Sequence, residues 1–76
     1  MKVVIAKVHE NVFAGEAESL SVPTTDGVVT ILGHHEPLVS IVVPGIAKVT
    51  SKGAAQEFAV TAGVLEVSNN QATVLL

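Results

Sequence analysis

His34-His35-Glu36 is the densest local group of side chains able to ligate a metal or move a proton. A zinc site needs three or four ligands converging tetrahedrally. On extended backbone, neighbouring side chains point to opposite faces, so His34 and His35 reach one metal only across a tight turn. Gly33 before them and Pro37 after them permit such a turn, and His9 would have to join from elsewhere. The plainer reading is a pair of histidines on a polar surface loop. A pH-responsive pair is a further reading, since imidazole titrates near neutrality. Glu16 and Glu18, two residues apart, would share one face of a strand, either as a carboxylate pair or as a solvated edge that discourages strand pairing. Ser19, Ser21, Ser40 and Ser51 lie on strand-like segments with no nucleophile-elbow glycine pattern around them. No glycine-rich phosphate loop ending in Lys is present. Thr24-Thr25-Asp26-Gly27 reads as a turn capped by the Asp26 side chain. The residues describe a binding module rather than an enzyme: no catalytic group, no cofactor site and no metal site is assigned.

Composition sets what kind of scaffold can hold these groups. The chain has 76 residues, 49% of them apolar, with 7 acidic residues against 4 basic ones and a net charge of −3. That length gives a single domain over residues 1–76. A domain of this size buries only about 60% of the surface of its unfolded chain, so its margin of stability is thin. With no cysteine, neither disulfides nor thiolate-bound metal can widen it. Phosphate contacts need Lys or Arg and base stacking needs aromatics, and the chain has no Arg, no Trp and no Tyr. Nucleic acid is therefore not an expected partner. No apolar run approaches the roughly 20 residues of a membrane-spanning helix. Lys7 interrupts the opening apolar stretch where a signal peptide would continue, so no leader is expected. The absence of cysteine is compatible with a reducing cytoplasm.

The elements are strands. Val, Ile and Thr make up 25 of the 76 residues, and branching at Cβ suits a pleated, half-buried surface. Turn signals recur at Ala14-Gly15, Thr25-Asp26-Gly27, Leu32-Gly33, Pro44-Gly45, Lys52-Gly53, Ala62-Gly63 and Asn69-Asn70. This spacing predicts an all-β, two-layer antiparallel β-sandwich. The expected strands are Lys2–Val8, Glu16–Val22, Val28–Leu32, Val39–Val43, Ile46–Ser51, Gln56–Thr61, Val64–Ser68 and Ala72–Leu76. The last two form a hairpin across Asn69-Asn70, because Asn tolerates left-handed backbone. Leu65 and Val67 share one face of their strand, and Glu66 and Ser68 the other. By contrast, Val3-Val4-Ile5-Ala6 and Ile41-Val42-Val43 are apolar on both faces. Such strands either expose small apolar side chains to water, which is ordinary, or form a docking surface. Bare, that surface would also support self-association without physiological meaning.

Four motifs in order carry a family resemblance. They are Val12-Phe13-x-Gly15-Glu16 followed by a strand and Val22-Pro23; Gly27, an apolar stretch and His35-x-Pro37-Leu38; Pro44-Gly45; and Ala62-Gly63-Val64-Leu65-Glu66-Val67 with a closing Ala72-Thr73-Val74-Leu75. Together they resemble the N-terminal β-sandwich of the epsilon subunit of F-type ATP synthases, called delta in mitochondria. The resemblance implies a non-catalytic central-stalk subunit. Such a subunit holds the gamma subunit, rests on the membrane rotor ring of c subunits, and couples proton-driven ring rotation to ATP synthesis elsewhere in the complex. It implies a peripheral place at the cytoplasmic face of the bacterial inner membrane, with no direct insertion. Gly27, Val28, Thr30, Gly33, His35, Glu36 and Pro37 become the candidates for the rotor-ring interface, with His35 matching the family's histidine. For Gly27 and Pro37 a pure turn-shaping role explains the residue types equally well. Leu38, Val39 and Ser40 become candidates for the border of the gamma interface.

The sequence also departs from the family. Thr30 stands where a second Gly is common, Gly33 where Pro is common, Glu36 where Ala is common, and Val28 where an acidic residue is common. Gly in place of Pro raises the entropy cost of ordering the loop. Family members commonly continue into a C-terminal helical hairpin that carries nucleotide binding and inhibition. The resemblance covers only the sandwich, so neither property is carried over, and a removed hairpin and one never encoded fit equally. Behind the stalk subunit stand two alternatives: a stand-alone β-domain binding a metal or small ligand through His34, His35 and Glu36, and a divergent homologue attached to another complex.

Overall fold

The computed structural model describes all 76 residues and contains strands and no helix. The strands are β1 (Lys2–Lys7), β2 (Glu10–Glu16), β3 (Ser19–Thr24), β4 (Gly27–Leu32), β5 (Leu38–Val42), β6 (Gly45–Ser51), β7 (Ala54–Val60), β8 (Gly63–Ser68) and β9 (Gln71–Leu75). They form one hydrogen-bonded sheet curled into two facing layers. One layer runs β2-β1-β9-β8-β5 and the other β4-β3-β6-β7. The corner is narrow: Thr24 of β3 pairs with Val42 of β5, flanked by the amide of Thr25 donating to the Ile41 carbonyl and that of Val43 donating to the Pro23 carbonyl.

The connections fall into three kinds. Four hairpins turn on two residues each: Val8-His9, Thr25-Asp26, Lys52-Gly53 and Asn69-Asn70. Lys52 and Gly53, and likewise Asn69 and Asn70, all have positive φ, the type I′ pattern that matches strand twist. Thr25-Asp26 differs, because only the following Gly27 has positive φ, at 99°. The cap of this turn is Thr24, not Asp26 as expected. The buried Thr24 hydroxyl donates to the Gly27 carbonyl at 2.7 Å and accepts the Asp26 amide at 3.1 Å. Three two-residue bends, Ala17-Glu18, Val43-Pro44 and Thr61-Ala62, pass the chain between layers. One longer loop, residues 33–37, joins β4 to β5.

Alternation explains the core. Val3 and Ile5, Leu20 and Val22, Ala47 and Val49, Leu65 and Val67, and Ala72 and Val74 turn inward from successive strands. Ile31, Val42 and Val60 join them in one cluster. No buried polar side-chain atom lacks a partner. On the side away from the corner, Phe13 of β2 meets Phe58 of β7 with ring centroids 5.6 Å apart and a tilt of 55°. That contact draws the two layers together where no backbone pairing does.

Three expectations change. There are nine strands rather than eight, since β2 occupies Glu10–Glu16. The strand expected at Glu16–Val22 is broken at Ala17-Glu18, where the chain changes layers, so β3 starts at Ser19. Finally, β1 pairs with β9 in parallel, although every other pairing is antiparallel.

Candidate docking surfaces

The loop at residues 33–37 is exposed throughout. It is tied down by one contact: the His34 amide donates to Asn70 Oδ1 at 2.8 Å. His34 sits at φ 62°, and Asn70, also left-handed at φ 58°, accepts the Lys2 amide on its carbonyl at 3.2 Å. One turn residue therefore anchors both the loop and the start of β1. His35 Nδ1 lies 2.7 Å from the Glu36 carbonyl oxygen, a hydrogen bond in the tautomer with the proton on Nδ1. The ring is thereby turned toward its own backbone.

The histidines do not converge. His9 lies in the hairpin turn at the far end of β1 from the Asn70 anchor. No three His, Asp or Glu side chains come together in a way that could hold a metal ion. An open depression of about 430 Å³ beside His9 is lined also by Lys7, Val8, Glu10, Thr61 and Leu76. Nor do Glu16 and Glu18 form the expected pair on one strand face. Glu16 ends β2 with Oε1 3.4 Å from the N-terminal ammonium, while Glu18 in the bend accepts the Gly53 amide at 3.2 Å.

The residues singled out for a rotor interface fall in two places. Gly27 and Val28 open β4, whereas Gly33, His35, Glu36 and Pro37 follow its other end, about 20 Å away at strand rise. Between them Thr30 shares an exposed face with Val28 and Leu32, and its hydroxyl is 3.0 Å from that of Ser21. The border residues divide as well. Leu38 and Ser40 are half-buried, with Leu38 packed on the core, while Val39 faces outward at 68% exposure.

Val39 belongs to a larger surface on the outer side of the β1-β9-β8-β5 layer. Ile41 pairs with Val64, Val64 with Leu75, and Leu75 with Ala6. The adjacent row is Val39, Glu66, Thr73 and Val4. Ile41, Val64 and Leu75 are 53%, 39% and 55% exposed. The two runs read as apolar on both faces thus lie on one surface, bridged by Val64 and Leu75. Nothing in the sequence showed that those two residues adjoin, because their adjacency is set by register across four strands. The opposite outer face has a hydroxyl-rich row of Thr30, Ser21, Lys48 and Glu57. That face is mixed, since Val28, Leu32 and Ile46 are exposed on it beside the row.

Comparison with known proteins places this arrangement. The family described as ATP synthase, Delta/Epsilon chain, beta-sandwich domain matches residues 1–76. The ATP synthase epsilon chain of Neisseria meningitidis is 40% identical over 77 residues, covering 99% of this chain and 55% of that protein. The epsilon chain of Rhodopseudomonas palustris is 40% identical over 63 residues, covering 83% of this chain and 47% of that protein. The chain thus spans about half the length of these relatives. Among solved structures, a chain of the Euglena gracilis mitochondrial ATP synthase superposes with a TM-score of 0.89 at 20% identity, over 96% of this chain and 48% of that one. A chain of the Tetrahymena thermophila ATP synthase central stalk and c-ring superposes with a TM-score of 0.82 at 15% identity, over 97% of this chain and 60% of that one. These two likenesses are of fold.

Proposed function

This chain belongs to the ATP synthase delta/epsilon family of β-sandwich domains, and from that membership we propose that it is a non-catalytic module of the central stalk of an F-type ATP synthase. In this reading the outer face bearing Val39, Ile41, Val64 and Leu75 docks on the gamma subunit. The loop of Gly33, His35, Glu36 and Pro37, with Val28 and Thr30 on the adjoining strand, faces the c-subunit ring. The domain transmits proton-driven ring rotation to gamma and stays peripheral, at the cytoplasmic face of the bacterial inner membrane.

The observation that carries the reading is the registered apolar row across four strands. Contiguous exposed apolar surface of this kind marks a protein interface. Subunit interfaces of obligate complexes resemble a domain core cut in half, which gives strands that are apolar on both faces a reason to exist. The rigid two-layer body beneath suits a part that transmits torque.

Calorimetric titration of the chain with the gamma subunit from the same source tests the proposal. Saturable one-to-one binding with a negative heat-capacity change is the expected result, because apolar burial has that signature. A folded chain that does not bind gamma would overturn it.

A further inference from the structure

Three strands have a single pairing neighbour and therefore a free edge: β2, β7 and β4. A free edge is a row of N–H and C=O groups able to accept another strand. Two of the three are guarded against pairing with their own copy. Antiparallel self-pairing of β2 about its midpoint sets Glu10 against Glu16, and that of β7 sets Glu57 against Glu57. Like charges directly opposite each other destabilise a strand pair.

β4 has no such guard. β4 and the Gly33 that follows it read Gly-Val-Val-Thr-Ile-Leu-Gly, with no charge and no proline, and the residue types are nearly symmetric about Thr30. Outside the strand ladders, no backbone hydrogen bond involves Val28 to Leu32. We propose that β4 pairs antiparallel with β4 of a second copy, about a two-fold axis at Thr30. In that register Thr30 meets Thr30, and Val29 meets Ile31 on the inner side. Val28 meets Leu32 on the outer side, twice. These last two residues are 72% and 59% exposed in the single chain. Every contact off the axis is made twice, as an isologous interface requires. One short strand and four apolar side chains cover less than a standard stable interface, so the dimer is weak, with a dissociation constant between about 1 µM and 1 mM. The inference does not rest on the stalk reading. Where both hold, the dimer and the ring contact exclude each other at Val28 and Thr30.

The chain has no cysteine, so single substitutions report the register. Directly opposed residues have Cα atoms about 4.5–5.5 Å apart, within disulfide range. Oxidised Thr30→Cys is expected to give a covalent dimer. Val28→Cys alone is expected to stay monomeric, and Val28→Cys with Leu32→Cys in one chain to cross-link again. In sedimentation velocity Thr30→Lys should raise the dissociation constant at least about fivefold, with the melting temperature of the chain held. Equal cross-linking of Thr30→Cys and Val28→Cys would overturn the inference. So would a dimer untouched by Thr30→Lys, or an unaltered chain that remains monomeric to about 1 mM.

Discussion

Gly63 has no room for a side chain. It opens β8 against the end of β9, and a Cβ there would fall inside contact distance of the Leu75 carbonyl oxygen and 3.0 Å from Leu76 Cα. Both neighbours are backbone, Leu75 at the end of β9 and Leu76 held by its amide on the Ala6 carbonyl, so relief requires shifting the chain rather than rotating a side chain. Gly63→Ala is expected to cost about 1–3 kcal/mol, as overpacking does. In a domain of this size each kcal/mol lowers the melting temperature by about 4–8 °C. Gly33 is the control. Its φ is not positive, and the nearest atom to an added Cβ is Asn70 Oδ1 at 3.9 Å. Gly33→Ala is expected to stabilise by about 0.4–1 kcal/mol through the unfolded chain. A thermal melt of the two variants tests both signs. A Gly63→Ala chain that melts with the parent would mean that the ends of β8 and β9 are looser than described.

At the scale of elements, the hairpin turns decide what a strand can be. The β6–β7 turn places Lys52 at φ 52°, where a Cβ-bearing side chain is disfavoured and Asn is tolerated. Lys52→Asn is expected to raise stability by about 0.5–1 kcal/mol, read as a higher midpoint in urea at unchanged slope. No gain would mean that Lys52 has a compensating contact. Turn chemistry of this kind was legible in the sequence, as at Asn69-Asn70, and so was the alternation of Leu65 and Val67. β2 was not legible, for a physical reason. Its register slips between Ile5 and Ala6, pairing them with Phe13 and Asn11, so that Val12 is extra. The bulge lets the neighbours Val12 and Phe13 both pack on the core, which erases the period of two. Gly15, read as part of a turn, sits within this strand beneath the Phe13 ring, 3.5 Å from where its Cβ would be. The parallel pairing of β1 with β9 joins the two ends of the chain and has no local signature at all. The apolar outer face was half legible. Two doubly apolar runs stood out, but their union through Val64 and Leu75 depends on pairings that no local window contains.

For the whole molecule, the two outer faces differ while the core between them is shared. Stability is governed by the inward-facing set, which is buried in the isolated chain. Partner binding on the proposed reading is governed by the outward set, which leaves water only in the complex. The two properties should therefore separate under substitution. Val39 and Ile41 lie on the same outward face of β5, next to the inward-facing Val42. Replacing both by Thr keeps branching at Cβ and hence strand propensity, while it removes apolar surface from the outer face. The melting temperature of Val39→Thr/Ile41→Thr is expected to stay within about 8 °C of the parent, since surface changes move stability by roughly 0.5 kcal/mol or less each. Fully burying an Ile or Val side chain is worth about 1.5–3 kcal/mol, and every 1.4 kcal/mol is about tenfold in affinity. The same variant is therefore expected to bind gamma about a hundredfold more weakly, with a smaller heat-capacity change. Substituting Ser21 and Lys48 in the polar row of the opposite face by Ala should leave that affinity unchanged. If the polar-row variant loses binding and the apolar-face variant does not, the docking face is the β4-β3-β6-β7 layer, and the exposed row on the other layer is free for the remaining surfaces of the stalk.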